Sequence, residues 1–309
     1  MYRVLYQIYI KCLEHDCKGI WRKMYCSFFF HFCNSLYRYY LKWSKGSSLI
    51  KNTVAEPRLI LSLTSYPGRI HYIWITIETL LRQTVKPDMI ILWLAESQFP
   101  DKKLPFELEK LKERGLTIRW CDNLMSHKKY FYVMQEFPES NVITADDDSF
   151  YPPFFVERLV IMHNRFPEEV VCLTAQSMGS IYRCVPSQWP GISKEEITSS
   201  YTLSINSGSG ALFPPHSISP MAFNKEAIQK LCPYADDLWL TVMAHINGTK
   251  ISKYKYHPFP VIIKETRSES LCQNFNGPES QSEMNNDRQW ANIMGEYADN
   301  IKAIAGKFF

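Results

Sequence analysis

The sequence predicts an α/β protein in which a mostly parallel central sheet carries helices on both faces and a helical arm precedes it. Between residues 57 and 145, apolar runs typical of buried strands alternate at least three times with segments of helical periodicity. This alternation is typical of parallel sheets built from β-α-β units. The first 50 residues are instead basic and rich in aromatic residues. We therefore expect an arm over residues 1–55 and one globular domain over residues 56–309.

The N-terminal arm holds the basic character of the chain. Residues 1–50 contain eight Lys or Arg residues and two acidic residues, a net charge of +6, so residues 51–309 carry −2 of the overall +4. We therefore expect no nucleic-acid partner for the body. The longest stretch of the arm without Lys, Arg, Asp or Glu, residues 24–37, is too short and too polar to span a membrane, which takes about 20 apolar residues. The arm fits either an anionic membrane surface or a helical hairpin packed on the body or on a partner chain.

Cysteine usage and the N-terminal composition indicate a cytoplasmic location. Nine cysteines are scattered along the chain without a C-x-x-C pair, which favours a reducing compartment over a disulfide framework. The N-terminal residues also lack the compact apolar core and the cleavage site of a signal peptide. Combined with a membrane-binding arm, these features predict a peripheral protein at the inner face of the cell membrane.

The predicted elements of the body follow each other in a regular order. Apolar runs predict strands over residues 59–63, 89–94, 116–120 and 141–145. Helical periodicity predicts helices over residues 70–81, 104–114 and 126–137, and a closing helix over residues 285–305. In sheets of this kind, ligands bind beyond the carboxyl ends of the strands. We therefore expect the functional site where the fourth strand ends.

Three consecutive aspartates, Asp146, Asp147 and Asp148, follow that fourth strand. Because side chains alternate along a strand, we expect Asp146 and Asp148 to point to one side and Asp147 to point away. Two converging carboxylates repel each other and attract a divalent cation, and their oxygen ligands favour Mg²⁺ or Mn²⁺. An acidic turn or helix cap before Pro152 is the alternative. A phosphatase, a sugar-nucleotide transferase or a two-metal nuclease could use such a site, whereas the absence of a G-x-x-x-x-G-K-[ST] loop excludes a P-loop enzyme.

Four motifs of the body occur in a defined order. They are LILSLTSYPGR at residues 59–69, KKY at 128–130, TADDD at 144–148 and ADDLW at 235–239. Together they resemble the motifs of GT-A glycosyltransferases, most of all the bacterial family-2-like enzymes of surface polysaccharide assembly, over roughly residues 57–265. The resemblance implies a Rossmann-like GT-A fold. It also implies metal-dependent transfer of a sugar from a nucleotide-diphosphate sugar, expected to be a UDP-sugar, to a saccharide or lipid-linked saccharide hydroxyl.

The resemblance further implies a set of residues that contact the nucleotide sugar. They are Thr64, Ser65, Arg69, Asp122, Lys128, Lys129, Asp146 and Asp147. Arg69 can pair with the diphosphate or stack on the base. Asp122 could accept a hydrogen bond from the nucleotide, and it is equally a turn residue. Of the two lysines, we expect one to meet phosphate oxygens and the other to be solvated.

The metal site implied by the resemblance contains Asp146 and Asp148. Asp146 would face the ribose or the metal, and Asp148 would bind the metal that bridges both phosphates. His257 could complete the site with Mn²⁺ or Mg²⁺, although a single histidine is equally compatible with a structural role.

The acceptor side is expected to involve a glycine-rich segment and an acid pair. Small residues let a backbone approach a sugar closely, and the segment offers them at Ser207, Gly208, Ser209 and Gly210. A glycine-rich hairpin is the alternative. The resemblance implies an acid at this helix start that deprotonates the acceptor hydroxyl in an inverting displacement, and Asp237 is the first candidate. Asp236 is the second candidate for this role, and it could instead be only a helix N-cap.

Other activities are compatible with the same residues. A retaining transferase on this fold could use an acid near the reactive carbon as well. A phosphohydrolase could use the acidic cluster, and a nucleotide-sugar-binding scaffold could have lost its activity. The segment Asn286-Asp-Arg-Gln-Trp290 faintly resembles the QxxRW motif of processive synthases, but its residues occur in a different order. We therefore expect a non-processive enzyme.

Overall fold

The structure of the protein is a computed structural model. It describes residues 1–14, 19–49, 57–178, 185–192, 197–255, 260–269, 276 and 282–308. Two sequence predictions, the domain boundary near residue 55 and a metal-binding role for His257, fall on positions outside these residues.

Within the described residues, the β-strands form three sheets. The strands are β1 (Leu59–Thr64), β2 (Met89–Ala95), β3 (Leu116–Cys121), β4 (Asn141–Thr144), β5 (Ser149–Phe150), β6 (Val170–Cys172), β7 (Ala175–Ser177), β8 (Gly191–Ile192), β9 (Thr198–Ser200), β10 (Leu203–Ile205), β11 (Ala211–Phe213), β12 (Ile251–Lys253) and β13 (Val261–Ile262). The eight-stranded central sheet has the order β3-β2-β1-β4-β11-β6-β12-β9. The small sheets have the orders β10-β7-β8 and β13-β5.

The α-helices surround this sheet. They are α1 (Tyr2–Glu14), α2 (Ile20–Phe32), α3 (Arg38–Trp43), α4 (Ile73–Leu81), α5 (Phe106–Lys112), α6 (Lys128–Glu136), α7 (Phe155–Arg165), α8 (Lys225–Leu231), α9 (Asp236–Ile246) and α10 (Asn286–Phe308). A π-helical stretch, Cys33–Tyr37, joins α2 to α3. Gly115 follows α5 with φ of +107°, a left-handed conformation that ends a helix easily without a Cβ atom.

Parallel pairs predominate in the central sheet. β1 lies parallel to β2 and β4, β2 lies parallel to β3, and β6 lies parallel to β12. The antiparallel pairs are those that β11 makes with β4 and β6, and that β9 makes with β12. The first four strands are separated by helical connections, which parallel strands require.

Alternate residues of the strands pack on opposite faces of the sheet. Leu61 and Leu63 of β1 belong to a core that contains α4, whereas Ile60 belongs to a core with Val133 of α6. A strand buried on both faces therefore reads as a continuous apolar run, as the sequence of β1 does. The predicted α/β class, with a mostly parallel sheet, helices on both faces and an N-terminal helical arm, is confirmed.

The predicted strands and helices of the body are present, with shifts only at their ends. The four predicted strands correspond to β1 to β4, and the closing helix corresponds to α10. The helix predicted over residues 126–137 begins as a 3₁₀ turn, Met125–His127, and continues as α6. All four parallel strands point their carboxyl ends at the same edge, where the aspartate triplet follows β4.

The N-terminal arm packs on the body through aromatic side chains. The ring of Tyr6 lies 5.6 Å from that of Phe154, and the ring of Tyr37 lies 6.1 Å from that of Phe150. Asn34 Nδ2 donates to Ile262 O at 3.1 Å, and Asn34 Oδ1 accepts from the Lys264 amide at 2.6 Å. The arm and the α4 face of the sheet therefore share one hydrophobic core.

A second surface of the arm faces solvent and is apolar in places. Large apolar or aromatic side chains are exposed there, including Trp21, Phe28, Leu36, Tyr39 and Trp43. Among the residues that the structure describes, no helix is long and apolar enough to cross a membrane.

Candidate active site

A cavity of about 510 Å³ lies at the carboxyl ends of β1, β2 and β4. This is the edge at which ligands bind in parallel sheets. Its lining includes Thr64, Ser65, Tyr66, Arg69, Gln98, Ser126, Lys128, Lys129, Asp146, Asp147, Asp148, Ser204, Asn206, Tyr234, Asp236, Asp237, Asn276 and Asn286. The structure thus brings residues of all four motifs found in the sequence to one cavity.

Arg69 holds two carboxylates of the aspartate triplet. Its Nη1 atom lies 2.7 Å from Asp147 Oδ1 and 2.9 Å from Asp148 Oδ2. Asp147 also accepts from Ser65 Oγ at 2.5 Å, and Asp148 accepts from Ser149 Oγ at 3.1 Å. Burial, and then the charges of Asp146 and Asp147, raise the pKa of Asp148 to about 6, although Arg69 opposes this shift.

The expected alternation of the triplet is wrong. Asp146 and Asp148 were expected to share one side, but Asp147 and Asp148 share Arg69, and Asp146 pairs with Lys129 instead. The reason is that β4 ends at Thr144, so the strand periodicity does not extend to the aspartates. The triplet also does not cap α7, whose N-cap is Phe154 without a side-chain cap.

Lys129 connects the triplet to the acid pair of α9. Its Nζ atom lies 2.8 Å from Asp146 Oδ1 and 2.9 Å from Asp236 Oδ2, and the side chain is only 4% exposed. Burial alone would lower the pKa of Lys129, but the carboxylates of Asp146, Asp236 and Asp237 outweigh it and raise the pKa. Burial likewise opposes ionisation of Asp236, but Lys129 and then His127 lower its pKa. Both groups are therefore held in their charged forms.

Asp237 differs from its neighbour because no cation contacts it among the described residues. Its Oδ1 atom accepts from the Ser207 amide at 2.8 Å, whereas Asp236 Oδ2 accepts from Ser207 Oγ at 2.8 Å. Burial, and then the negative charge of Asp236, raise the pKa of Asp237 to about 7. The N-cap of α9 is Ala235, without a side-chain cap, so neither acid serves as the N-cap.

The glycine-rich segment, residues 207–210, packs against the acids outside the cavity lining. None of Ser207, Gly208, Ser209 and Gly210 lines the cavity, whereas Asn206 does. A Cβ atom on Gly208 would lie 1.9 Å from Asp146 Oδ2, and one on Gly210, at φ +111°, would lie 2.4 Å from Phe155 Cε2. The small residues therefore make room for Asp146 and for the ring of Phe155.

Lys128 and Lys129 are both buried, so the expectation that one of them is solvated is wrong. Lys128 Nζ donates to Asn123 Oδ1 at 3.2 Å and to Gln98 Oε1 at 3.4 Å, and no carboxylate of the described residues lies within ion-pair distance. Burial lowers its pKa to about 8. Lys128 is therefore a cation on the cavity wall that an anionic or carbonyl-bearing ligand can approach.

Asp122 lies apart from the other predicted residues. It is exposed, forms an ion pair with Lys225, and does not line the cavity. Thr64, by contrast, lines the cavity and donates from Oγ1 to Trp93 O at 2.8 Å.

The carboxylates of the cavity have the chemistry of a Mg²⁺ or Mn²⁺ site, since all their donor atoms are oxygens. Within the described part of the chain, however, no group of three or more acidic, His or Cys side chains is arranged to hold a metal ion. Arg69 occupies Asp148 Oδ2 and Lys129 occupies Asp146 Oδ1. A metal bound here would compete with these side chains for the carboxylate oxygens.

Several residues of the site escaped the sequence analysis. Gln98 follows β2 at its carboxyl end, so the rule that located the triplet would also have found it. Tyr151 donates from its hydroxyl to Gly208 O at 2.5 Å and accepts from the Asp146 amide at 2.8 Å. The sequence contains no signal for the bond of Tyr151 to Gly208, 57 positions away, or for that of Asn276 to Tyr234, 42 positions away.

The cavity combines two chemical environments. One end holds the buried cations Arg69 and Lys128 with hydroxyl and amide groups, which suit a negatively charged ligand. The other end holds Asp237, a carboxylate with a raised pKa that can exchange a proton near neutral pH. Lys129 lies between the two ends. This arrangement can bind an anionic donor and deprotonate a second molecule beside it.

Comparisons with known proteins give structural neighbours only. No protein-family model matches the chain, and no curated protein matches its sequence. Similar solved structures include TarS residues 1–349 from S. aureus, with 14% identity and a TM-score of 0.43 over 65% of this chain and 59% of that chain. Another is the same protein in complex with UDP-GlcNAc, with 13% identity and a TM-score of 0.41 over 65% of this chain and 57% of that chain. The chain thus spans less than two thirds of these neighbours, and a similarity of this size does not transfer their ligands to it.

Proposed function

We propose that this protein is a glycosyltransferase that moves a sugar from a nucleotide-diphosphate sugar to a saccharide hydroxyl, with inversion at the anomeric carbon. The observation that carries this proposal is the cavity itself. Buried cations line one end of it, and Asp237, without a cationic partner in the described residues and with a pKa raised to about 7, lines the other. The order of the four motifs, which resembles that of GT-A glycosyltransferases, supports the same activity.

The donor lies at the end of the cavity formed by Thr64, Ser65, Arg69 and Lys128. Lys128 donates hydrogen bonds without accepting any, so it favours phosphate or carbonyl oxygens over amino groups. A UDP-sugar offers oxygens of both kinds, and we propose UDP as the donor nucleotide because of the motif resemblance. Arg69 can bind the diphosphate when its contact with Asp148 breaks.

Asp237 is the proposed base for the acceptor hydroxyl. The Ser207 amide fixes one of its oxygens, and the raised pKa places its loss of a proton near neutral pH. As the hydroxyl oxygen attacks the anomeric carbon, Asp237 takes the hydroxyl proton and the nucleoside diphosphate leaves. Asp236 stays ionised and orients Lys129, so it is the less suitable proton acceptor.

The charge of the site supports a divalent cation as cofactor. Five carboxylates line the cavity (Asp146, Asp147, Asp148, Asp236 and Asp237), against the three cations Arg69, Lys128 and Lys129. A diphosphate would add further negative charge. We propose that Asp146 and Asp148, with His257, would hold Mn²⁺ or Mg²⁺ in competition with Lys129 and Arg69, and that the ion would offset the charge of the leaving diphosphate.

The proposed setting is the inner face of the cell membrane, where a lipid-linked saccharide of surface polysaccharide or lipooligosaccharide synthesis would be the acceptor. The exposed aromatic residues and the net charge of +6 of residues 1–50 support binding to an anionic surface. The face that packs on the body is separate from these exposed residues. Trp21→Ser combined with Trp43→Ser, both exposed, should weaken sedimentation with vesicles that contain anionic lipid and leave thermal stability unchanged. Equal sedimentation of wild-type and variant protein would contradict membrane binding by this surface.

The decisive experiment measures the products formed from a panel of nucleotide sugars with Mn²⁺ or Mg²⁺, with and without saccharide acceptors. A transferase releases nucleoside diphosphate in an acceptor-dependent way. A phosphohydrolase releases inorganic phosphate, and a non-catalytic scaffold binds the donor without releasing either. The anomeric configuration of the product, read by NMR, distinguishes inversion from retention.

A further inference from the structure

Gln289 of α10 is a fully buried polar residue that the proposed mechanism does not use. Its relative exposure is 0%. The neighbouring Trp290 packs edge-on against Trp189 with ring centroids 5.2 Å apart, so α10 is anchored independently of Gln289. A buried amide costs folding free energy unless its hydrogen bonds are made, and the partners of Gln289 therefore show what it holds in place.

The side chain of Gln289 joins three separate segments. Its Oε1 atom accepts from the Tyr234 amide at 2.8 Å. Its Nε2 group donates to Met284 O at 2.8 Å and to Asn276 Oδ1 at 3.2 Å. Asn276 Nδ2 in turn donates to Tyr234 O at 3.0 Å. The N–H and the C=O of Tyr234 are therefore both held by side-chain amides.

Tyr234 lies where the chain enters α9, the helix that carries Asp236 and Asp237. It lines the cavity and lies immediately before Ala235, the N-cap of α9, with Asp236 and Asp237 in the first turn. Because the N-cap lacks a side-chain cap, the hydrogen bonds at Tyr234 fix the chain entering the helix. A shift of this backbone would move both acids relative to Ser207 and Lys129.

We propose that Gln289 is a positioning residue that fixes the backbone at Tyr234 and thereby sets the position of Asp237 against the acceptor hydroxyl. The inference rests on the proposed function for its catalytic consequence. Only an amide offers one acceptor and two donors on the same planar group, which these three partners require. Leucine fills a similar volume without making any of these bonds.

The groups that face Asp237 determine how a pH profile would report its position. Among the described residues they are Asp236 on the same helix, Lys129 from α6, the amide and hydroxyl of Ser207, and the thiols of Cys172 and Cys232. Desolvation is the largest cause of its raised pKa. A loosened entry to α9 admits water, so the pKa of Asp237 falls, and the acidic limb of the activity profile moves to lower pH.

The test compares Gln289→Leu with Arg288→Gln, a control at the adjacent exposed position of the same helix. We expect Gln289→Leu to lower kcat by about tenfold or more, because small displacements of catalytic groups are costly. The donor KM should stay within about twofold, and the acidic limb should move to lower pH. The control should change none of these values. Unchanged kcat, or a kcat loss that follows thermal instability while the pH limb stays in place, would overturn the inference.

Two further measurements cover the cases in which Gln289→Leu does not fold or the wild-type protein transfers no sugar. If Gln289→Leu does not fold, Gln289→Asn retains the amide but is one methylene shorter, and the same changes are expected from it. If the wild-type protein transfers no sugar, the proposed function fails, and the carboxyl titration of Asp237 by ¹³C NMR then decides the role of Gln289. A lower pKa in the Gln289 variant than in wild-type protein and Arg288→Gln supports it, and identical titration curves contradict it.

Discussion

The aspartate triplet after β4 and the aspartate pair that opens α9 face the same cavity but are held differently. Arg69 and Lys129 together contact every carboxylate of the triplet. In the pair, Lys129 contacts Asp236 but not Asp237, whose carboxylate contacts Ser207 and no cation within the described part of the chain. Within the described residues, the cavity therefore has one acidic cluster in which every carboxylate contacts a cation, and one pair in which Asp237 contacts none.

The difference shows how two similar sequences, ADDD and ADD, can serve different chemistry. A cation beside a carboxylate favours its charged form, which suits the binding of a ligand or an ion, although burial still raises the pKa of Asp148 to about 6. Asp237, desolvated and without a contacting cation in the described residues, exchanges its proton nearest to neutral pH. The four predictions below test this division, from the largest expected effect to the smallest.

Removing the titrating acid should have the largest effect. Asp237→Asn should lower turnover by about 10²–10⁴-fold, roughly 3–5 kcal/mol of activation free energy, because the general base is lost. Donor affinity and melting temperature should hardly change, since Asp237 has no ion pair in the described residues. The measurement is steady-state kinetics with thermal denaturation, and Asp236→Asn is the comparison. Near-normal turnover of Asp237→Asn with collapse at Asp236→Asn would move the role of base by one residue.

Removing the cation of the triplet should act on stability instead. Arg69→Met leaves the buried carboxylates of Asp147 and Asp148 without their counter-ion, which should lower the free energy of unfolding by about 3–5 kcal/mol. Chemical denaturation measures this change. Arg119→Met is the matched control, because Arg119 forms an exposed pair with Glu136 that should contribute only about 0–1 kcal/mol. Equal losses in the two variants would show that Arg69 is not a structural counter-ion.

The pH dependence of activity should distinguish the two clusters directly. Asp237 acts in its deprotonated form and its pKa is about 7, so kcat/KM should rise with pH through about 7. Below that value, the rate should fall about tenfold per pH unit if this acid alone controls it. Asp148→Asn should leave this limb in place. A limb that moved in Asp148→Asn would assign the ionisation to the triplet.

Neutralising one acid of the triplet should affect ligand binding more than turnover. Asp148→Asn removes one charge at little steric cost. It should reduce the gain in donor affinity given by Mn²⁺ by about tenfold, or about 1.4 kcal/mol. Calorimetric titration of the nucleotide sugar with and without Mn²⁺ measures that gain. A full wild-type gain in the variant would remove Asp148 from the proposed metal ligands.

The sequence was sufficient for the first four strands of the eight-stranded sheet because their signals are local. β1 and β2 are continuous apolar runs, and such runs identify buried strands without knowledge of their partners. Helix α10 was equally predictable from its periodicity. The position of the site followed from the rule that ligands bind at the carboxyl ends of parallel strands.

The internal organisation of the site was less predictable, since it depends on contacts between distant segments. The pairing of Arg69 with Asp147 joins residues 78 positions apart, and that of Ser207 with Asp236 joins residues 29 positions apart. Strand periodicity gave the wrong partner for Asp148 because the strand ends before the triplet begins. The role of Gly208 was also misjudged, because the nearby Asp146 carboxylate becomes visible only in the folded chain.

The placement of the arm has a consequence for how the molecule can loosen. The strand that follows the triplet, β5, pairs with β13, and the Ile263 amide donates to Asp148 O at 2.7 Å. Tyr37 of the arm packs on Phe150 of β5, while Asn34 holds the backbone on both sides of Ile263. The arm, β13 and the triplet are thus connected by a continuous series of packing contacts and hydrogen bonds. Detachment of the first helices would reduce hydrogen-exchange protection at Ile263 and loosen the backbone of Asp148, so a segment that reads as an appendage belongs to the same cooperative unit as the site.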